Sequence, residues 1–400
     1  MKILISGGGI GGLSAALCLQ KAGHDVCVFE QSNNFDVIGA GLQCGANAVH
    51  VFDHLDLLEE LKAVAVDPQR VEFRDAINGQ VLYQSEWGAD YLHRYGAPYL
   101  HVHRADLHTI LLEAFYCDAN NQLELNCQVS NYTENDAAVE IILEDGRTFS
   151  GDCLIAADGI KSKLREHVLH QQSAERLEPK FTGNVAWRGL VPASNLPSDF
   201  MDKIACNFMG QGKHMVIYYL RNQQLINFVG VVENKQPLSE TPHQWANKAP
   251  WDQLKADFAG WHPMVQTVID SMDKDRCYRW DLYHHRPLQT WSSKRATLLG
   301  DAAHATLPFM AAGAGLAIED ARILQRSLDA APDIASALDL YQRNRLTRTA
   351  AIQSASVKMG KLYHLPHAGL LKLAFNALRG VAKSKEAQLA SYNANTIPLS

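Results

Sequence analysis

The first thirty residues constrain this chain more than any other stretch. Ile3, Leu4 and Ile5 read as a short buried strand running into Gly7-Gly8-Gly9-Ile10-Gly11-Gly12. A helix-period run follows, with Ile10, Leu13 and Leu17 on one face and small Ser14, Ala15 and Ala16 beside them. Gly23 ends that helix, and Val26 to Phe29 form a second buried strand closing at Glu30. Strand, glycine loop, helix, strand and terminal acid in this order make a dinucleotide-binding unit. Gly7 supplies the tight turn, Gly9 lets backbone approach a pyrophosphate, and Gly12 lets the helix pack closely. The helix start at Ile10 and Gly11 offers unpaired N–H groups and a positive dipole end to phosphates. Glu30 stands roughly 20 residues beyond the glycines, where an acid takes a ribose 2′-hydroxyl. A carboxylate there disfavours a 2′-phosphate, but this unit alone does not separate NAD from FAD.

Four hundred residues imply two connected lobes, and 47% hydrophobic residues supply a sizeable core. A net charge of −6 gives no reason to expect nucleic acid as a partner. The eight cysteines are scattered with no CxxC pair, which suits a reducing cytoplasm. The glycine loop follows Met1 so closely that no leader peptide is expected, and no apolar run approaches the ~20 residues of a membrane span.

Further along, Gly39-Ala40-Gly41 opens a second small-residue turn into a helix through Val49 and Leu58. Either a ligand ring comes close to it or it is a plain tight turn. Val71 to Tyr99 alternates around Asn78-Gly79, which is hairpin chemistry. His103-Arg104 opens another helix, where an Arg can meet phosphate or carboxylate. His101 and His103 share a strand face, but no third ligand is suitably spaced and no metal is expected. Leu123 to Phe149 reads as a meander turning at Asp145-Gly146. The buried strand Cys153 to Ala157 then ends at Asp158-Gly159, the edge of a sheet where ligands bind or the chain simply turns. In the strand Met215 to Leu220, His214, Val216 and Tyr218 share one face by period two. Ala296 to Leu299 leads into Gly300-Asp301, then Pro308 and a helix start at Gly313-Ala314-Gly315-Leu316. That start offers donors and a dipole to an anionic ring edge.

Together these residues resemble the FAD-dependent aromatic hydroxylases, the class A flavoprotein monooxygenases, in their salicylate, 3-hydroxybenzoate and 6-hydroxynicotinate branch. The matches run from Ile3 to Pro398: the glycine loop to Glu30, His103-Arg104, Ala157-Asp158-Gly159, Leu299 to His304, and the closing Ser391-Tyr392-Asn393. The resemblance implies an α/β fold, with a Rossmann-type, glutathione-reductase-like FAD-binding domain (1–70, 100–180 and 279–345). Interleaved with it would be a β-sheet substrate lobe (71–99 and 181–278), followed by a C-terminal helical segment (346–400). It implies that Glu30 holds the adenosine ribose with Gln31 beside it at the cofactor, and that Arg104 meets the pyrophosphate or ribityl region. Val129 would meet adenine and Asp301 the ribityl or pyrophosphate side of FAD. Asp158 and Gly159 would be shared by FAD and nicotinamide, while Pro308, Gly313, Ala314, Gly315 and Leu316 would lie against the isoalloxazine and Gly41 elsewhere along the cofactor. His214 and Tyr218 are similar to the substrate-facing His-x-x-x-Tyr of this branch. The chain departs from many members in Gln31, where a basic residue is common, and in Ala311-Ala312, where a Gln is common.

The implied activity is hydroxylation of a small phenolic or hydroxypyridine aromatic acid through a flavin C4a-hydroperoxide. FAD would be the bound cofactor, with O2 and NADH or NADPH as transient co-substrates and a monomer or homodimer as the working form. His214 is the expected base or orienter, Tyr218 positions the ring, and Arg188 is a weaker candidate for a substrate carboxylate. Three rivals remain open: a ubiquinone-pathway-type hydroxylase, another flavoenzyme, and a non-catalytic flavin module. The first would use the basic amphipathic stretch Leu370, Leu371, Lys372, Ala374, Phe375, Leu378, Arg379 and Lys383 to touch lipid, although such a helix more often packs on its own core.

Overall fold

Ile3, Leu4 and Ile5 are fully buried because the strand Lys2–Ser6 is the central member of a five-stranded parallel sheet. Strands buried on both faces read as unbroken apolar runs rather than as alternation. Lys2–Ser6 pairs with Asp25–Phe29 on one side and Cys153–Ala156 on the other, and Ala296–Leu298 and Gln122–Glu124 form the edges. Segments from both ends of the chain thus deliver their carboxyl ends to one crevice, as open parallel sheets do. The computed structural model describes residues 1–35, 40–118, 122–170, 179–237, 247–365, 369–370, 373 and 386–400.

The other lobe is an eight-stranded sheet. Its centre is the antiparallel set Lys180–Pro192, Leu225–Glu233, Lys213–Leu220 and Ala205–Gly210. Ala205–Gly210 then pairs in parallel with Arg70–Asp75, which turns at Asn78-Gly79 into Val81–Glu86. Gly79 has φ +72°, and the Asp75 carboxylate accepts from the backbone N–H groups of Ile77 and Asn78, fixing the turn. One face of Lys213–Leu220 packs Met215, Ile217 and Tyr219 against Phe258 and Trp261, which leaves His214, Val216 and Tyr218 on the other face.

Several local expectations differ from the fold. Gly41–Cys44 is a strand antiparallel to Leu100–His103, not part of a plain turn; Gly39 lies outside the described residues. The helix behind it spans Ala46–His54 and stops before Leu58, because Asp56 takes a left-handed φ of 61°, which Asp tolerates better than most residues. A new helix begins at Leu58. The stretch to Tyr99 includes a helix, Ala89–Tyr95, entered through Gly88 at φ +61°. Leu123 belongs to the edge of the parallel sheet, and the meander comprises only Val129–Glu134, Val139–Leu143 and Thr148–Gly151. The helix Ile334–Tyr363 runs unbroken through residue 345, where the sequence reading divides two segments. Of the amphipathic stretch, Leu371, Lys372, Ala374, Phe375, Leu378, Arg379 and Lys383 lie outside the described residues. Among the described residues no helix is long and apolar enough to cross a membrane.

Candidate active site

The glycine loop works by what its missing side chains permit. Gly7 sits at φ +108°, and a Cβ at Gly12 would overlap the Gly7 carbonyl oxygen, so Gly12 closes the loop onto the helix. A Cβ at Gly9 would meet nothing and would project into the cleft that Gly9 lines. The helix Ile10–Lys21 has no side-chain cap and no acid in its first turn, so its first N–H groups stay available to an anion. Glu30 is held rigidly beside them, accepting from Gly8 N–H (2.8 Å) and Ser32 N–H (2.9 Å).

A cleft of about 910 Å³ runs from this loop to the substrate lobe. Its lining includes Gly7, Gly9, Ile10, Gly11, Glu30, Gln31 and Gly41. Arg104, Val129, Asp158, Gly159, Asp301, Pro308, Gly313 and Ala314 line it as well, with His214 and Tyr218 at the far end. Three of the expected residues lie elsewhere. Gly12 is buried in the loop–helix contact, Gly315 faces a second cavity, and Leu316 turns away to pack with Ala312 and Ile352. Leu316 follows from helix geometry, because a helix entering the cleft by its N-terminus turns successive side chains away from the axis of approach.

Charge in the cleft is arranged around the second helix start. The helix Gly313–Ala330 also lacks a side-chain cap and a first-turn acid. Asp301 is exposed to the cleft, and desolvation by its walls raises the carboxyl while His304, Arg104 and Arg165 pull it down. Burial likewise lowers Arg104, opposed by Asp301. Asp301 is aimed by Asp320, which accepts from Gly300 N–H (3.0 Å) and from His304 Nε2 (2.5 Å) just behind it. Asp158 anchors the next helix by accepting from Lys163 N–H (3.0 Å), and its Oδ1 is buried without a partner, facing where a ligand donor belongs. Two uncapped helix starts, an anchored ribose acid, an orphaned carboxylate oxygen and a glycine wall together fit a dinucleotide carrying a flat ring.

Beyond the cleft lies a chamber of about 210 Å³, sharing His214, Val216, Pro308, Ala311 and Ala312 with it. Aromatic rings dominate its walls, including Phe73, Tyr83, Tyr363 and the stacked pair Trp87 and Tyr99 (4.1 Å between centroids). His214 is almost fully buried, and burial followed by the neighbouring His364 lowers its pKa well below the usual histidine value. Its Nδ1 lies 2.9 Å from His364 Nε2. Tyr218 faces the larger cleft only, its hydroxyl bonded to Gln43 and its ring 4.4 Å from that of His101. Arg188 also lines the larger cleft, stacked over Trp280 with Nε unpartnered, and does not reach the smaller chamber. Gln43, Asn207, Trp87 and His364 were not identified from the sequence. No motif marks them, and they meet His214 or its chamber only through sheet pairing and the end of the long helix.

The doubly wound sheet and this cleft define a flavoprotein of the dinucleotide-binding class. The profile of the FAD binding domain family matches residues 1–356, and the chain belongs to that family of flavin-dependent monooxygenases, with FAD as its cofactor. It is 34% identical over 366 residues to the 3-hydroxybenzoate 6-hydroxylase of Polaromonas naphthalenivorans (strain CJ2), covering 91% of this chain and 88% of that one. It is 33% identical over 365 residues to the 6-hydroxynicotinate 3-monooxygenase of Bordetella bronchiseptica (strain ATCC BAA-588 / NCTC 13252 / RB50), covering 89% and 90%. Among solved structures it is similar to Klebsiella pneumoniae HpxO complexed with FAD and uric acid. There the TM-score is 0.85 at 27% identity, with 98% of this chain and 97% of that chain covered.

Proposed function

We propose that this enzyme hydroxylates a small phenolic or hydroxypyridine aromatic acid, using NAD(P)H and O2. The observation that carries the reading is the junction at His214. There a buried imidazole stands between the FAD cleft and an aromatic-walled chamber sized for one ring. The names of the two curated relatives support the substrate class. Bound FAD supplies the activation of O2 with two electrons from NAD(P)H; one oxygen atom enters the ring and the other leaves as water.

This chain's residues do the rest. The uncapped starts of the helices Ile10–Lys21 and Gly313–Ala330, with Glu30, Arg104 and Asp301, hold the cofactor. Phe73, Tyr83 and Trp87 exclude water and stack the substrate ring. With Nδ1 engaged by His364, Nε2 of His214 is the nitrogen that takes the ring's hydroxyl proton, making the ring a better nucleophile. Such base help is worth about 10²–10⁴-fold. Among the described residues the smaller chamber is lined by no Arg or Lys, and Ser85 and Asn47 already donate to Glu386 and Glu319, so Asn207 is the donor left for a substrate carboxylate there, with Arg188 held for the cleft side. A chamber this small disfavours a quinone-sized substrate. The eight free cysteines support a reducing, cytoplasmic compartment.

The test is a screen of hydroxybenzoates and hydroxynicotinates with NADH and NADPH, following oxidation of the reductant and the hydroxylated product by mass spectrometry. One acid should give product in near-equal amount to the reductant consumed. A yellow holoenzyme that yields only peroxide with every aromatic overturns the reading.

A further inference from the structure

His214 must release any proton it accepts, because an imidazolium sealed among Phe309 and Tyr363 is costly. Three segments meet behind it. The turn at Gly212 (φ +67°) joins Ala205–Gly210 to Lys213–Leu220, Glu233 ends the neighbouring strand, and His364 caps the helix Ile334–Tyr363. Gly212 ties them together: its N–H donates to the His364 carbonyl (3.4 Å) and its carbonyl accepts from Glu233 N–H (2.9 Å). On the side chains, His214 Nδ1 lies 2.9 Å from His364 Nε2, and His364 Nδ1 lies 3.1 Å from Glu233 Oε1. Exposure rises along this line: 3% for His214, then side-chain values of 4% for His364 and 60% for Glu233.

From this geometry we infer that His214, His364 and Glu233 form a proton relay from the substrate chamber to solvent, in which Glu233 sets the tautomer of both histidines. The relay rests on the hydroxylase reading above. A carboxylate only accepts, so His364 carries its proton on Nδ1 and presents a bare Nε2. His214 must then donate from Nδ1, which leaves its Nε2 lone pair toward the chamber. When the substrate O–H bond breaks, its proton binds His214 Nε2, the Nδ1 proton passes to His364 Nε2, and the His364 Nδ1 proton passes to Glu233 and on to water. No electrons move, both imidazoles end neutral with their protons shifted to Nε2, and the charge left in the chamber is that of the ring anion; the reverse transfer restores the tautomers. Glu233 bonds His364 and the Tyr363 ring packs on His214, and burial raises the Tyr363 hydroxyl far out of reach. Glu233 raises His364 against a larger lowering by burial. His364 and Glu233 touch no substrate and are positioning residues.

Two measurements decide it. In ¹⁵N-histidine-labelled FAD holoenzyme, ring-nitrogen NMR should find both histidines protonated on Nδ1, with His214→Gln and His364→Gln assigning the signals. A proton on Nε2 of His214 overturns the relay whether or not the enzyme turns over. In kinetics with the aromatic acid the screen returns, Glu233→Gln and His364→Gln should lower kcat by about tenfold or more. KM should stay within about twofold, and flavin absorbance should stay at wild-type level. Both variants should also gain a rate that climbs tenfold per pH unit toward the substrate's own pKa, because only the pre-ionised ring then reacts. A variant with the wild-type pH profile and rate overturns the relay. Absence of turnover in the wild type overturns the hydroxylase reading instead, leaving the NMR result to judge the tautomers.

Discussion

Two glycines three residues apart in the same loop do different physical work. At Gly12 the space for a side chain is filled by the Gly7 carbonyl, so the residue is demanded by the fold itself. At Gly9 the space is open and belongs to the cleft, so nothing in the fold itself demands a glycine there. Gly12→Ala should therefore destabilise even the flavin-free protein, by about 1–3 kcal/mol as overpacked sites do. Gly9→Ala should leave flavin-free stability within about 0.5 kcal/mol of wild type yet weaken FAD binding about tenfold or more. Urea unfolding of stripped protein, paired with flavin fluorescence titration, separates the two. Equal loss of stability in both variants would show that the loop's contacts, not its vacancy, set the choice at Gly9.

At the scale of elements, the flavin-side helix is fixed by charge sealed between it and its neighbour. Arg345 on Ile334–Tyr363 is fully buried and pairs with Glu319 (2.7 Å) and Asp320 (2.6 Å) on Gly313–Ala330. Arg348 and Asn47 complete Glu319, both at 2.6 Å. Burial alone would raise Asp320, but His304 and Arg345 hold it down at about 2. Because Asp320 also accepts from Gly300 N–H, the same ion network orients the turn that presents Asp301 to the cleft. Removing the cation leaves Glu319 and Asp320 short of their shared buried counter-charge, which costs about 3–5 kcal/mol. Arg345→Met, similar in volume, should lose that much in urea unfolding and should also weaken FAD binding, although residue 345 does not line the cleft. A variant that loses stability while holding FAD at wild-type affinity would separate the network from the site.

Across the whole molecule, what the chain order makes local could be read and what the sheets bring together could not. The glycine loop, Glu30, the Asp158 and Asp301 turns and the alternation of His214, Val216 and Tyr218 each lie within a few residues, so spacing revealed them. Val216 opposite Val229, or His214 beside His364, depends on pairing and helix docking that no periodicity encodes. His101 is a case in point: spacing raised metal ligation, but its two ring nitrogens have no partner, and it sits among Trp87, Tyr99 and Tyr218. No metal cluster occurs among the described residues. Burial lowers His101 to about 3 and His285 to about 4, while both titrate near 6.5 in the unfolded chain. The unfolded state therefore binds more protons than the folded one below about pH 6.5, and stability falls as pH drops from there toward 4. Asp158 and Asp301, raised by desolvation within the cleft, oppose this only as the pH nears the carboxylate range, and Asp320 adds its own loss only from about pH 4 toward 2. Between about pH 6 and 4.5 the two histidines should take up about two protons on unfolding, a slope near 2.7 kcal/mol per pH unit. His101→Leu should lower the measured slope, to which buried His214 also contributes, by about 1.4 kcal/mol per pH unit in urea unfolding across the window. An unchanged slope would mean that His101 keeps its proton inside the fold and that burial does not govern its charge.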